Sequence, residues 1–145
     1  MKLGFAALLL ASVAEASPKC PSPRIHTFRS LAAAKDSLGS VPPQAAPELA
    51  DRGTAFFVDV PLGSPNGSDA VHYKVTAIFI RKDKSVVVVD DLARWTSVIP
   101  PPGHSSPVTP AQSIRLDGTT AHLAIDGYRA ALVDVPRAKF LGCPR

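Results

Sequence analysis

Between Ala70 and Leu92 the chain reads AVHYKVTAIFIRKDKSVVVVDDL, two runs rich in β-branched and aromatic residues around the charged connector Arg81-Lys82-Asp83-Lys84. In the first run Val71, Tyr73, Val75, Ala77 and Phe79 fall on one face and His72, Lys74 and Thr76 on the other, which is the two-residue period of a strand. Ile78 and Ile80 make its end apolar on both faces, so that end is expected to be covered on both sides. Val86 to Val89 form the second arm, which closes at Asp90-Asp91. The stretch predicts a long antiparallel hairpin at the centre of a small β domain. Its charged tip keeps an aggregation-prone run soluble.

The flanking pattern adds shorter elements. Arg24 to Arg29, with Ile25 and Phe28 among polar residues, predicts a short first strand. Ser30 reads as the N-cap of a helix over Leu31 to Leu38 that Gly39 stops, with Leu31 and Leu38 on one face. Thr54 to Val60 predicts a strand whose better core face carries Phe56, Val58 and Val60. Ser113 to Val135 spells a three-stranded meander in which Asp117-Gly118 and Asp126-Gly127 supply two-residue turns and Ala121, Leu123 and Ile125 point inward. Pro136 ends the last strand, and Lys139 to Cys143 runs back toward the start of the chain. Prolines sit outside these runs and stiffen the loops over Val41 to Ala50, Pro61 to Asp69 and Val98 to Pro110. The expected fold is mainly β: a single-domain antiparallel β-sandwich or partly open β-barrel of six to seven strands with one short helix.

The first residues place Lys2 before an apolar run, Leu3 to Ala11, and end in Ala14-Glu15-Ala16, the pattern of a secretory signal peptide over residues 1–16. The run is shorter than the roughly 20 apolar residues of a membrane span. The expected product is an exported, extracellular domain over residues 17–145, with no membrane segment. Cys20 and Cys143 lie near its two ends, and in an oxidising compartment they are expected to form one disulfide closing the domain. Asn66-Gly67-Ser68 is a glycosylation sequon in a turn-rich loop. The net charge of +4 is scattered rather than clustered, which argues against a nucleic-acid partner.

Catalytic chemistry finds little support. His26, His72, His104 and His122 lie on different elements without metal-ligand spacing, and neither a GxSxG elbow nor a Gly-rich phosphate loop is present. A ribonuclease-like set of His72, Glu48 and Arg81 as base, acid and phosphate clamp is selected by residue type alone. The acidic residues Asp90, Asp91, Asp117 and Asp126 occupy strand ends and turns, where Asp is favoured for backbone reasons. The expectation is a protein that is not an enzyme and uses no cofactor or metal. A secreted hydrolase of RNA or glycan, or a cell-wall glycan-binding module, is the alternative.

A binding role needs a rigid scaffold with a projecting surface. Proline-stiffened loops lose little entropy on docking. Leu62, Trp95, Ile99, Pro100, Pro101, Pro102 and His104 are the expected contact residues, with Trp95 and Ile99 as aromatic and aliphatic anchors.

The leader MKLGFAALLLASVAEA, the small cysteine-poor mature chain and the single Cys20/Cys143 pair resemble small secreted effectors of plant-associated filamentous fungi. The resemblance is one of overall design. It implies a monomer that acts outside the cell on a host protein, with inhibition of a papain-like cysteine protease the leading expectation. The QxVxG loop of cystatin-type inhibitors is not present, so that expectation rests on scaffold logic.

Overall fold

A computed structural model describes residues 18–38, 53–64, 70–98 and 110–145. The expected leader, the loop over 41–50, the sequon at Asn66, and Ile99, Pro100, Pro101, Pro102 and His104 lie outside these residues. The described elements are β1 (Arg24–Phe28), α1 (Leu31–Leu38), β2 (Ala55–Gly63), β3 (Ala70–Ile80), β4 (Val86–Val98), β5 (Gln112–Asp117), β6 (Thr120–Ile125), β7 (Ala131–Asp134) and β8 (Lys139–Gly142).

The strands form two antiparallel sheets, ordered β1-β4-β3-β2 and β5-β6-β7-β8. This is the sandwich of the two architectures the pattern allows. The hairpin β3–β4 fills the centre of the first sheet, because its arms are apolar on both faces where they are longest paired. One face, with Val75, Ala77, Phe79, Val87 and Val89, packs on Ala121, Leu123, Ile125, Ala131 and Val133 of the second sheet. The other face, with Ile78, Val86 and Val88, packs on Ala34 and Leu38 of α1. The molecule is therefore a three-layer stack of helix, sheet and sheet.

The short helix exists because its start is capped and its inner face is apolar. Ser30 Oγ accepts a hydrogen bond from the Ala33 amide at 3.2 Å, and Ser30 O accepts from the Ala34 amide at 3.1 Å. Leu31, Ala34 and Leu38 then face the first sheet.

Several details add to the pattern reading or differ from it. Phe56, Val58 and Val60 are the buried face of β2, as the alternation predicts, and lie beneath the helix; the opposite face, with Phe57, is also used and packs partly buried on the inter-sheet core. The tight β5–β6 turn is Gly118-Thr119, since Asp117 pairs with Thr120, and Gly118 takes the positive φ of 62°. Asp126-Gly127 is not a two-residue hairpin. Pairing between β6 and β7 begins at Leu123↔Ala131, and Tyr128 N instead closes a local turn on Ile125 O at 3.0 Å. The C-terminal run is an eighth strand, with Asp134↔Lys139 its first pair.

The second arm of the hairpin does not end at Asp90-Asp91. Between the pairs Ala77↔Val89 and Val75↔Ala93, β3 has one residue, Thr76, and β4 has three, Asp90, Asp91 and Leu92. Asp91 absorbs this bulge with φ at 59°, a conformation Asp tolerates better than most residues. Two extra residues preserve strand parity, so Ala93 and Trp95 continue the inward face and β4 runs on to Val98.

The Cys20–Cys143 disulfide forms as expected, with Cα atoms 5.9 Å apart across 123 residues of sequence. The segment before β1 lies against the second sheet: Lys19 bridges Tyr128, and Lys19 O accepts from the Arg129 amide at 2.9 Å. It then crosses to the first sheet as β1. The bond thus ties the two sheets as well as the two ends of the described chain.

Candidate functional site

The bulge in β4 decides what stands at one end of the sandwich. It shifts the register so that Tyr73 sits opposite Trp95, and Pro61 of β2 pairs with Tyr73 on the other side. The two rings stack with centroids 4.5 Å apart and planes 12° from parallel. Both are half-buried. Trp95 continues the inter-sheet core, while Tyr73 lies beyond it.

The pair is pinned from below. Trp95 Nε1 donates to Asp59 Oδ1 at 3.0 Å, and Gln112 Nε2 donates to the same oxygen at 3.0 Å. Asp59 is on β2 and Gln112 on β5, so one carboxylate joins the indole to both sheets. A buried-edge indole usually finds a partner for its N–H, and this one is charged, which strengthens the bond.

Beside the rings, β2 bulges between Pro61 and Gly63. Pro61 is tolerated because β2 is the edge strand of this sheet, with no partner on its outer side among the described residues. Gly63 takes φ of 100°, and the extra residue, Leu62, is turned out to 45% exposure. Leu62 and Trp95, expected as contact residues, thus occupy the same end of the first sheet with Tyr73 between their strands. The remaining contact residues expected there, 99–102 and 104, fall outside the described part. Tyr73 was missed because its partner depends on the bulge.

On the opposite face of the same strands the groups are polar and paired. Lys74 Nζ lies 3.0 Å from Asp90 Oδ1, and Thr76 Oγ1 donates to that oxygen at 2.9 Å. His72 Nδ1 and Thr96 Oγ1 share a hydrogen bond of 2.9 Å. Arg94 forms a two-pronged pair with Asp91 at 3.0 and 2.9 Å. The hydrogen bond from Arg94 holds the Asp91 carboxyl below its ordinary range, with the Arg94 and Lys74 charges adding to the effect.

A lowered folded value means that the ionised carboxylate stabilises the fold above the unfolded titration point, about 3.9. The contribution is lost as pH falls through the folded value. Arg94→Gln should therefore raise the Asp91 titration midpoint toward the ordinary carboxylate range, read by carboxyl carbon NMR. An unmoved midpoint would mean that the pair does not persist in solution.

Among the described residues the groups selected for catalysis do not converge. His72 and Arg81 stand at the two ends of β3, nine residues apart, which is about 30 Å of extended strand. Glu48 lies outside the described residues. Asp90 and Asp91 are held by different cations on β3 and β4. His122 accepts a hydrogen bond from Arg115 at 3.2 Å on the outer face of the second sheet. Among the described residues no group of three His, Cys, Asp or Glu side chains is placed to hold a metal ion. No helix among them is long and apolar enough to cross a membrane.

Comparison with family models, with curated proteins and with solved structures finds no match for this chain.

Proposed function

We propose that the protein is a secreted binding domain of the fungal effector type that engages and blocks a host extracellular protein. Its contact surface is the end of the sandwich built by Leu62, Tyr73 and Trp95. The observation that carries this reading is the stacked Tyr73–Trp95 pair fixed to both sheets through Asp59. Aromatic side chains held rigid before contact lose little conformational entropy on docking, and such residues dominate binding energy in protein interfaces. Leu62 supplies an exposed aliphatic neighbour.

A papain-like cysteine protease is the first target to test, because a rigid loop-bearing end of a β scaffold can fill an active-site cleft without offering a scissile bond. Titration of the purified protein against papain-like and serine proteases is the direct measurement. Inhibition should weaken at least about tenfold in Tyr73→Ser and in Leu62→Asp, a loss of the size expected at an interface hot spot. Absence of inhibition at micromolar concentration would remove the protease reading. A pull-down from host extracellular fluid in which both variants capture the same proteins as the parent would remove the contact surface.

A further inference from the structure

The opposite end of the sandwich carries a second feature. The β3–β4, β5–β6 and β7–β8 turns surround a cleft of about 580 Å³. That volume lies within the range of small-molecule sites. Ala55 and Phe79 form its floor where the inter-sheet core comes to the surface, and Leu116, Val135 and Pro136 line its sides. Leu116 is 53% exposed, an apolar side chain left uncovered at the cleft. The walls are tied together, since Thr119 O accepts from the Val135 amide at 3.1 Å and Thr54 O from the Ile80 amide at 2.7 Å.

The mouth of the cleft is charged by the hairpin tip. Arg81 reaches across to the β7–β8 turn, donating from Nη1 to Pro136 O at 2.8 Å and from Nε to Ser85 Oγ at 2.9 Å. Its Nη2 has no partner among the described residues. Lys82 is exposed beside it and forms no ion pair among them. Asp83 is the one carboxylate there, and it is occupied locally by the Ser85 amide at 3.0 Å and the Ser85 hydroxyl. Those hydrogen bonds favour the ionised carboxylate, which offsets one of the two cations, so Arg81 and Lys82 leave the mouth with one net positive charge to meet a ligand.

We infer that this cleft binds a free, single-chain amphipathic carboxylate, with its alkyl tail over Phe79 and Leu116 and its carboxylate at Arg81 and Lys82. The choice of an anion follows from charge complementarity at the mouth. The choice of an alkyl body follows from the apolar side chains of Ala55, Phe79, Ile80, Leu116, Val135 and Pro136, which outnumber the two hydroxyls, of Thr54 and Thr119, in the lining. This site is separate from the Tyr73–Trp95 end, so its test leaves the binding reading untouched.

Dodecanoate is the probe, followed by amide NMR on the full mature chain, with acetate, dodecanol and dodecyltrimethylammonium as comparisons. Dodecanoate should saturably shift Thr54, Lys82, Gly118 and Thr119 while Tyr73 and Trp95 stay in place. Dodecanol should bind about tenfold more weakly for loss of the charge-assisted hydrogen bonds, and acetate and the cationic detergent should not compete. Leu116→Glu should abolish the shifts. Lys82→Glu should weaken dodecanoate about fivefold or more and leave dodecanol unchanged. Both positions are exposed, and an unchanged far-UV spectrum confirms folding. The inference is overturned by equal binding of the cation, by shifts at the other end only, or by no shifts at millimolar dodecanoate. Cleft shifts that grow with protein concentration alone would assign the surface to a second copy of the chain and overturn it as well.

Discussion

Opening the Cys20–Cys143 bond is expected to lower the unfolding free energy by about 5 kcal/mol. The bond closes a loop that spans 123 residues of sequence, and in the chain-entropy model its loss releases conformational freedom in the unfolded chain on that scale. A domain of this size has a net stability of roughly 5 to 15 kcal/mol, so the change is a large share of the whole. The location adds a native-state component. Cys143 packs against the inter-sheet core, and the segment carrying Cys20 is held to the second sheet by the Lys19–Tyr128 bridge before it crosses to β1. Reduction frees both ends of that crossing. Urea unfolding with and without reductant, and of the Cys20→Ser/Cys143→Ser double variant, measures the difference. The reduced protein and the double variant should agree, with midpoints well below that of the oxidised form. A shift worth less than about 1 kcal/mol would show that pairing of β1 with β4, rather than the disulfide, holds the start of the chain.

Those parts of the fold that rest on local pattern were legible in the chain. The apolar arms Ala70 to Ile80 and Val86 to Val89, the cap at Ser30 and the alternation of Ala121, Leu123 and Ile125 each carry a short-range signal, and each lies where that signal places it. What was not legible depends on choices that only the assembled sheet makes. Both faces of β2 carry large apolar groups, so alternation alone does not say which face meets the helix and which the second sheet. β8 is four residues long, and the turn before it uses Ala138 at φ of 53° where Gly or Asn would have signalled a hairpin.

The candidate site shows the same limit more sharply. A simple register extended from Ile80↔Val86 sets Tyr73 against Ala93, and adjacent Asp90 and Asp91 read as the end of a strand. The bulge moves Tyr73 by two positions and makes the aromatic pair. Its one sequence trace is the alternation of Ala93, Arg94, Trp95 and Thr96, which continues a strand past the acidic pair. Asp59 gave no sign of its role, because a lone carboxylate in the strand Thr54 to Val60 reads as a solvent-facing residue. Its partners, Trp95 and Gln112, come from 36 and 53 positions away.

Phe79→Ala is expected to destabilise the domain by about 3 to 5 kcal/mol. Phe79 is 2% exposed and pairs with Ala55 on one side and Val87 on the other, while its ring faces the second sheet. Truncation removes the apolar contact and leaves a void. The neighbours Ala77, Val87 and Val89 are short side chains already committed to the same layer and have little reach to close it. Differential scanning calorimetry or urea unfolding measures the loss. The Tyr73–Trp95 end, where binding is proposed, should be unaffected in whatever fraction remains folded, because Phe79 lies at the far end of β3 from Tyr73. A folded Phe79→Ala protein within about 1 kcal/mol of the parent would show that the second sheet can settle onto the smaller residue. The same variant couples stability to the proposed ligand site, since it widens the cleft whose floor Phe79 forms. Partial recovery of midpoint on adding dodecanoate is then the expected mass-action result, because a ligand that binds only the native state raises its stability. Leu116→Glu in the same background should cancel that recovery while leaving the ligand-free midpoint close to that of Phe79→Ala alone.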